Sequence, residues 1–131
     1  SSAASDVYKR QGKYIAIQTI SSSGKSGMTL YRKSDGQKIK TITSNCSYYE
    51  FIDNTFYYVE PIAEFKYKIK SYNIEKKKTI TYGTIKANEF GAITSKYLYY
   101  SNGPMIGECK YYKYSFAKKK SIRITEEAFQ Y

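Results

Sequence analysis

One stretch of the sequence occurs twice in nearly the same form and a third time in part. Residues 54–81 read NTFYYVEPIAEFKYKIKSYNIEKKKTIT, and residues 96–125 contain KYLYYSNG and YSFAKKKSIRIT in the same order. Tyr31, Tyr72 and Tyr114 hold matching places and are separated by 41 and then 42 residues. A period of about 40–45 residues with four short strands per copy is typical of β-propeller blades. The repeat therefore restricts the fold more than any other feature of the chain.

Within each copy, apolar and polar residues alternate, which is typical of half-buried strands. Asp35-Gly36 is a strong hairpin signal in the first copy. In the second copy, Pro61 is expected to end the strand at 55–60, because proline cannot donate a hydrogen bond to a neighbouring strand. Tyr14, Phe56 and Leu98, spaced by 42 residues, are matched across the copies. The predicted strands are 12–20, 28–33 and 38–43, then 47–52, 55–60, 65–73 and 78–82, then 89–94, 96–101, 109–116 and 121–125.

These strands predict an all-β fold of two to three four-stranded antiparallel meanders that form part of a β-propeller. The predicted organisation is an incomplete blade at 12–44, blades at 45–83 and 88–125, and the start of another blade at 126–131. Residues 1–11, SSAASDVYKRQ, match nothing in the repeat and resemble a translated sequencing adapter, although a natural flexible tail is the alternative. We therefore expect a non-native tail followed by a protein fragment.

Tyrosine dominates the composition, with 17 residues against no tryptophan. Both faces of an inner propeller strand are buried, so adjacent tyrosines are expected to pack into the core on opposite faces. A stacking platform for sugars or bases is the alternative. The adjacent pairs are Tyr48-Tyr49, Tyr57-Tyr58, Tyr99-Tyr100 and Tyr111-Tyr112.

The formal net charge is +11, and nearly all of the basic residues are lysine. Lysine-rich and tyrosine-rich composition follows from A/T-rich codons, so solvated surface charge explains most of this excess, and nucleic acid is not an expected partner. Two runs at predicted hairpin tips have two interpretations. They protect sheet edges from pairing, or they form a rim that contacts an anionic polymer. These candidate residues are Lys76, Lys77, Lys78, Lys118, Lys119 and Lys120.

Nothing in the sequence predicts an enzyme. Histidine is absent, and Glu60 and Glu64 near Pro61 are interpreted as ordinary loop carboxylates rather than an acid–base pair. Cys46 and Cys109 form no metal motif and are expected to be free thiols, with one disulfide as the alternative. We predict no catalytic, metal or cofactor-binding residue, and no apolar run is long enough for a membrane span.

The residues NTFYYVEP…YNIEKKKTIT and KYLYYSNG…YSFAKKKSIRIT resemble the tyrosine-rich blade repeats of bacterial propellers related to the low-density-lipoprotein-receptor (YWTD) and Tol-system types. The YWTD tetrapeptide itself is absent. The resemblance implies a non-catalytic module of a bacterial surface or secreted protein that binds a protein or ligand or serves as a scaffold. It also implies an extracellular or cell-surface location and, as first partner, the missing blades of the same chain. There are two alternatives. The propeller accompanies an enzyme domain encoded elsewhere in the gene, or it binds a polyanion through its lysine rim.

Overall fold

The computed structural model describes residues 12–103 and 108–126, and this part of the chain contains eleven β-strands. The predicted tail at 1–11 and nearly all of the predicted start of a further blade, residues 127–131, lie outside the described residues. The strands are β1 (Tyr14–Ile20), β2 (Ser26–Arg32), β3 (Lys38–Ile42), β4 (Tyr48–Ile52), β5 (Thr55–Ala63), β6 (Lys66–Asn73), β7 (Lys78–Lys86), β8 (Glu89–Ile93), β9 (Tyr97–Asn102), β10 (Lys110–Ser115) and β11 (Lys120–Ile124).

These strands form three antiparallel meanders, because each strand pairs with its neighbours in sequence. The first sheet is β1-β2-β3, the second is β4-β5-β6-β7 and the third is β8-β9-β10-β11. The prediction of an all-β chain built from three- and four-stranded antiparallel meanders is confirmed. Among the described residues the sheets are separate, and none closes on itself.

The chain divides into two compact units. The first unit ends at Cys46 and contains the first sheet, whereas the second unit begins at Ser47 and contains the second and third sheets. In the first unit, Met28, Leu30 and Ile42 are buried.

Two strands are longer than the sequence predicts. β5 continues past Pro61 to Ala63, with Pro61 opposite Tyr67 and a register shift between Pro61 and Ala63. Proline is tolerated there because β4 pairs with β5 only as far as Val59, so β5 has no partner on that side at Pro61. β7 continues to Lys86 rather than ending at residue 82. A second register shift, opposite Ile69 and Lys70, keeps β6 and β7 paired there, and Ile85 is buried in the extension.

Strand pairing also corrects the match between the copies. Phe56 pairs with Tyr72, and Leu98 pairs with Tyr114. In the first sheet Tyr31 pairs with Ile15, not with Tyr14. The 41-residue step applies to the first strand as well, so the residue of the first copy that corresponds to Phe56 is Ile15 and not Tyr14.

The second and third sheets pack face to face around one hydrophobic cluster. The second sheet contributes Val59, Ile69 and Ile85, and the third sheet contributes a matching set that includes Leu98 and Tyr100. Aromatic rings cross the boundary at both ends of the strands. The crossing ring pairs are Tyr48–Phe90 at 5.3 Å, Tyr67–Phe90 at 4.9 Å, Tyr57–Phe116 at 4.7 Å and Tyr82–Phe116 at 5.0 Å between centroids.

A close approach at Gly83 fixes the centre of this boundary. A Cβ added at Gly83 would lie 2.8 Å from the hydroxyl oxygen of Tyr114, whereas its distance to the ring carbon Cζ would be 3.7 Å. Real Cβ contacts do not approach 2.8 Å, so only glycine lets the Tyr114 hydroxyl reach β7. Tyr114 of the third sheet therefore packs against the second sheet at Gly83, where any side chain would block the contact.

Candidate functional site

The six candidate lysines lie on two hairpin tips with the same backbone turn. One tip joins β6 to β7 and the other joins β10 to β11. At the start of each turn a side-chain oxygen accepts a backbone N–H three residues later: Asn73 Oδ1 accepts from Lys76 at 2.9 Å, and Ser115 Oγ accepts from Lys118 at 3.1 Å. Such side-chain hydrogen bonds favour turns over continued strand. We refer to the residues 76–78 and 118–120 as the lysine tips.

Each lysine tip has its middle lysine in the left-handed backbone region. Lys77 and Lys119 both have φ = 54°, and Gly36 holds the same turn position in the first sheet with φ = 68°. The backbone N–H of Lys119 donates to the carbonyl of Ser115 at 2.8 Å, and that of Gly36 donates to the carbonyl of Arg32 at the same distance. Residues with a Cβ reach this region at a cost of about 1–2 kcal/mol. Glycine is therefore the residue that this turn prefers, and two of the three copies carry lysine instead.

All six lysines are exposed. Within residues 12–103 and 108–126, the ion pairs are Arg32–Asp35 and Lys70–Glu60, so no lysine of either tip is neutralised by a carboxylate there. Glu75 lies next to one tip, but its Oε1 accepts a hydrogen bond from Asn54 Nδ2 at 2.8 Å. Each tip therefore holds three consecutive positive charges in water.

Buried residues hold both tips to the sheets. Ile74 is 6% exposed and Phe116 is 7% exposed, and each comes just before its lysines. The Phe116 ring packs on Tyr57 and Tyr82 of the second sheet, towards the end of that sheet that carries Lys76–Lys78. The two lysine tips thus project from the same end of the paired sheets.

The tyrosines mostly occupy the packing positions that the sequence predicts. Tyr58 and Tyr100 are 4% exposed, and their neighbours Tyr57 and Tyr99 are half-buried on the opposite faces. The hydroxyl of Tyr100 lies 2.5 Å from Ser121 Oγ, and burial raises its pKa above the ordinary tyrosine value. Core packing is therefore confirmed for Tyr58 and Tyr100 as a structural arrangement.

The Tyr114 hydroxyl differs from that of Tyr100. It is buried and has no hydrogen-bond partner in the described part of the chain, and burial raises its pKa. Leaving a buried hydroxyl unpaired costs about 1–3 kcal/mol. Because Tyr114 lies against Gly83, this cost falls at the boundary between the second and third sheets.

The acidic and sulfur-containing candidates are structural. Glu60 lies in β5 rather than in a loop, and its Oε1 pairs with Lys70 Nζ at 2.9 Å. Cys46 and Cys109 are both thiols that form no disulfide, as expected. In the described residues no group of three or more His, Cys, Asp or Glu side chains is placed to hold a metal ion. The same residues contain no helix of the length and apolar character that a membrane crossing needs.

Two features of the site were not predicted from the sequence. One is the left-handed backbone conformation of Lys77 and Lys119. An alignment of the three copies places both lysines at the position of Gly36, and glycine at a turn indicates this conformation. The other is Glu50, which lies on β4 opposite Tyr57, where burial raises the pKa of its carboxyl. Glu50 adds no chemistry to the lysine tips.

A comparison of the chain with protein-family models, curated proteins and solved structures finds no match. The resemblance to YWTD-type and Tol-type propellers therefore stays a prediction based on the repeated residues.

Proposed function

We propose that the chain is part of a β-propeller that acts as a non-catalytic binding or scaffold module of a bacterial surface or secreted protein. The observation that carries the proposal is the packing of two equivalent four-stranded meanders face to face. Their aromatic and aliphatic residues fill the space between the sheets, as neighbouring blades do. Location at or outside the cell surface follows from the resemblance alone.

The third sheet supports the proposal that the first partner is a further blade. Its other face repeats the face that the second sheet buries, with Tyr99 at the position of Tyr57 and Tyr111 at that of Ile69. Tyr99 and Tyr111 are half-buried. An aromatic face that is only partly covered is typical of repeat arrays that continue. On this proposal a further blade of the natural chain covers Tyr99 and Tyr111.

Sequencing the gene around residues 12–126 in genomic DNA tests the proposal. We expect further copies with a tyrosine-led strand, a turn and a threonine-ended strand every 40–43 residues or so. A gene without any further copy would contradict the propeller. A hydrolase domain beside the repeats would favour the alternative, in which the propeller accompanies an enzyme. The same read decides whether residues 1–11 are natural.

A further inference from the structure

We propose that the two lysine tips together bind a linear polymer that carries phosphate groups along its length. The inference rests on the proposed function, because it gives the binding module a ligand class. Three observations carry it: the tips lie at the same end of two packed sheets, their charges are unpaired, and their backbone conformation favours glycine over the lysine that is present.

The position of the tips suits a linear ligand. Contacts of Phe116 with Tyr57 and Tyr82 place the β10–β11 tip towards the end of the second sheet that carries the β6–β7 tip. At the opposite end of the sheets, Phe90 contacts Tyr67. Face-packed sheets are about 10 Å apart, so a ligand that contacts both tips must extend across at least the space between two sheets. A chain with several phosphates spans this distance and can contact both tips at once.

The charges of the tips are not used within the described structure. Three consecutive exposed lysines repel one another, and neither tip has a carboxylate partner in residues 12–103 and 108–126. A polyanion that neutralises such lysines releases its condensed counterions, which is the main source of affinity in contacts of this type. The tips therefore have the electrostatic character of a non-specific phosphate contact.

The backbone indicates that lysine is present at a cost to stability. Gly36 shows that the same turn forms with glycine, which has no Cβ to strain. Lys77 and Lys119 accept the strained conformation at both copies in the second unit. Edge protection needs charge on the edge strand, where Lys78 and Lys120 already supply it, and does not need lysine at the left-handed position. Strained residues cluster at functional sites, although Asp53 and Phe65 also have positive φ in other turns. What distinguishes Lys77 and Lys119 is that the same conformation recurs at the same position of both charged tips.

The chemistry of the tips favours phosphate over base recognition. Binding of single-stranded nucleic acid uses exposed aromatic rings as stacking platforms. The aromatic residue of one tip, Phe116, is buried, and the other tip has the buried Ile74 at this position. Lysine acts as a point charge and lacks the planar fork of arginine that reads bases and phosphates in two-point contacts.

Fluorescence anisotropy with labelled linear polyphosphate, measured on the whole chain from 25 to 300 mM NaCl, tests the inference. We expect binding that weakens linearly with salt on a double-logarithmic plot. Replacing the three lysines of either tip by glutamine should reduce the slope by about 2–3, because each lost contact removes roughly 0.7–0.9. It should also reduce the affinity at 50 mM NaCl at least tenfold.

The matched control removes the same charge elsewhere. Lys25, Lys66 and Lys110 are exposed and lie outside the tips, the last two at the starts of β6 and β10. The triple glutamine variant of these residues should change the slope by less than 1. An equal loss in this variant would overturn the inference, because binding would then depend on net charge. The absence of polyphosphate binding at 25 mM NaCl would overturn it as well.

Two further measurements test whether a loss of affinity comes from misfolding and whether the ligand is a phosphate polymer or a nucleic acid. The double variant Lys77→Gly and Lys119→Gly should stay folded by circular dichroism and still lose affinity, because it removes charge while relieving the turn. Retention of full affinity by this variant would contradict the role of these two lysines. A single-stranded oligonucleotide of equal charge should bind more weakly than polyphosphate, and tighter binding would overturn the choice of ligand class. None of these results alters the expected repeat count of the gene.

Discussion

Replacing Gly83 by alanine probes the contact that holds the second and third sheets together. The new Cβ would lie 2.8 Å from the Tyr114 hydroxyl oxygen, so the packed Tyr114 side chain or one of the two sheets must shift. Overpacking of this kind costs about 1–3 kcal/mol. We therefore expect Gly83→Ala to lower the free energy of unfolding by that amount.

The same substitution has a different effect when Tyr114 is phenylalanine. Removing the hydroxyl leaves Cζ, at 3.7 Å, as the nearest atom to the new Cβ, which is an ordinary van der Waals distance. In that background Gly83→Ala should be neutral or stabilise by about 0.5–1 kcal/mol, because alanine loses less backbone freedom on folding than glycine. The coupling energy between the two sites is then about 1–4 kcal/mol.

Tyr114→Phe alone should raise the free energy of unfolding by about 1 kcal/mol, since it removes a buried hydroxyl without a partner. Tyr100→Phe is the matched control and should lower it by about 1 kcal/mol, because the Tyr100 hydroxyl bonds Ser121. Urea unfolding followed by circular dichroism measures all of these variants, including the double variant. An equal cost of Gly83→Ala in both backgrounds would refute the assigned contact.

Two other predictions concern the turns and pH. Lys77→Gly and Lys119→Gly should each stabilise the chain by about 0.5–1 kcal/mol in thermal or urea unfolding, whereas Gly36→Lys should destabilise it by a similar amount; opposite signs would contradict the shared turn. Burial raises the pKa of Glu50 in the folded state, so its carboxyl favours folding most below its unfolded pKa and loses this contribution as pH rises through the folded pKa. Glu50→Gln should therefore stabilise the protein at pH 7 and flatten its stability between pH 4 and 7, and an unchanged pH profile would contradict this.

The local pattern of the sequence predicts much of the fold. Alternation of Tyr67 and Ile69 with lysines predicts β6, and Asp35-Gly36 predicts the β2–β3 turn. Phe65, predicted as the first residue of that strand, lies instead in the turn before it with φ = 57°. Such signals succeed because side-chain period and turn chemistry act within a few residues.

The remaining features depend on distant contacts or on exceptions to local rules. Pro61 is a strand-ending signal, but β5 continues because β4 pairs with it only as far as Val59, so the missing N–H has no ladder partner on that side. Gly83 carries no sign of its tyrosine partner, because Tyr114 approaches it from another sheet. Lys77 was predicted as part of a charged tip, and its left-handed backbone is visible from sequence only by comparison with Gly36.

The shared turn separates the charge of a tip from the folding of its sheet. The first sheet closes the turn with Asp35 and Gly36, and Asp35 pairs there with Arg32 at 3.2 Å. The same backbone carries lysines in the later copies, so each copy sets its charge without altering its strands. On the proposed binding of a phosphate polymer, affinity depends on how many copies carry charged tips, because every added tip binds at a high effective concentration. An array of such repeats would then adjust its avidity by the number of charged copies rather than by improving any single contact.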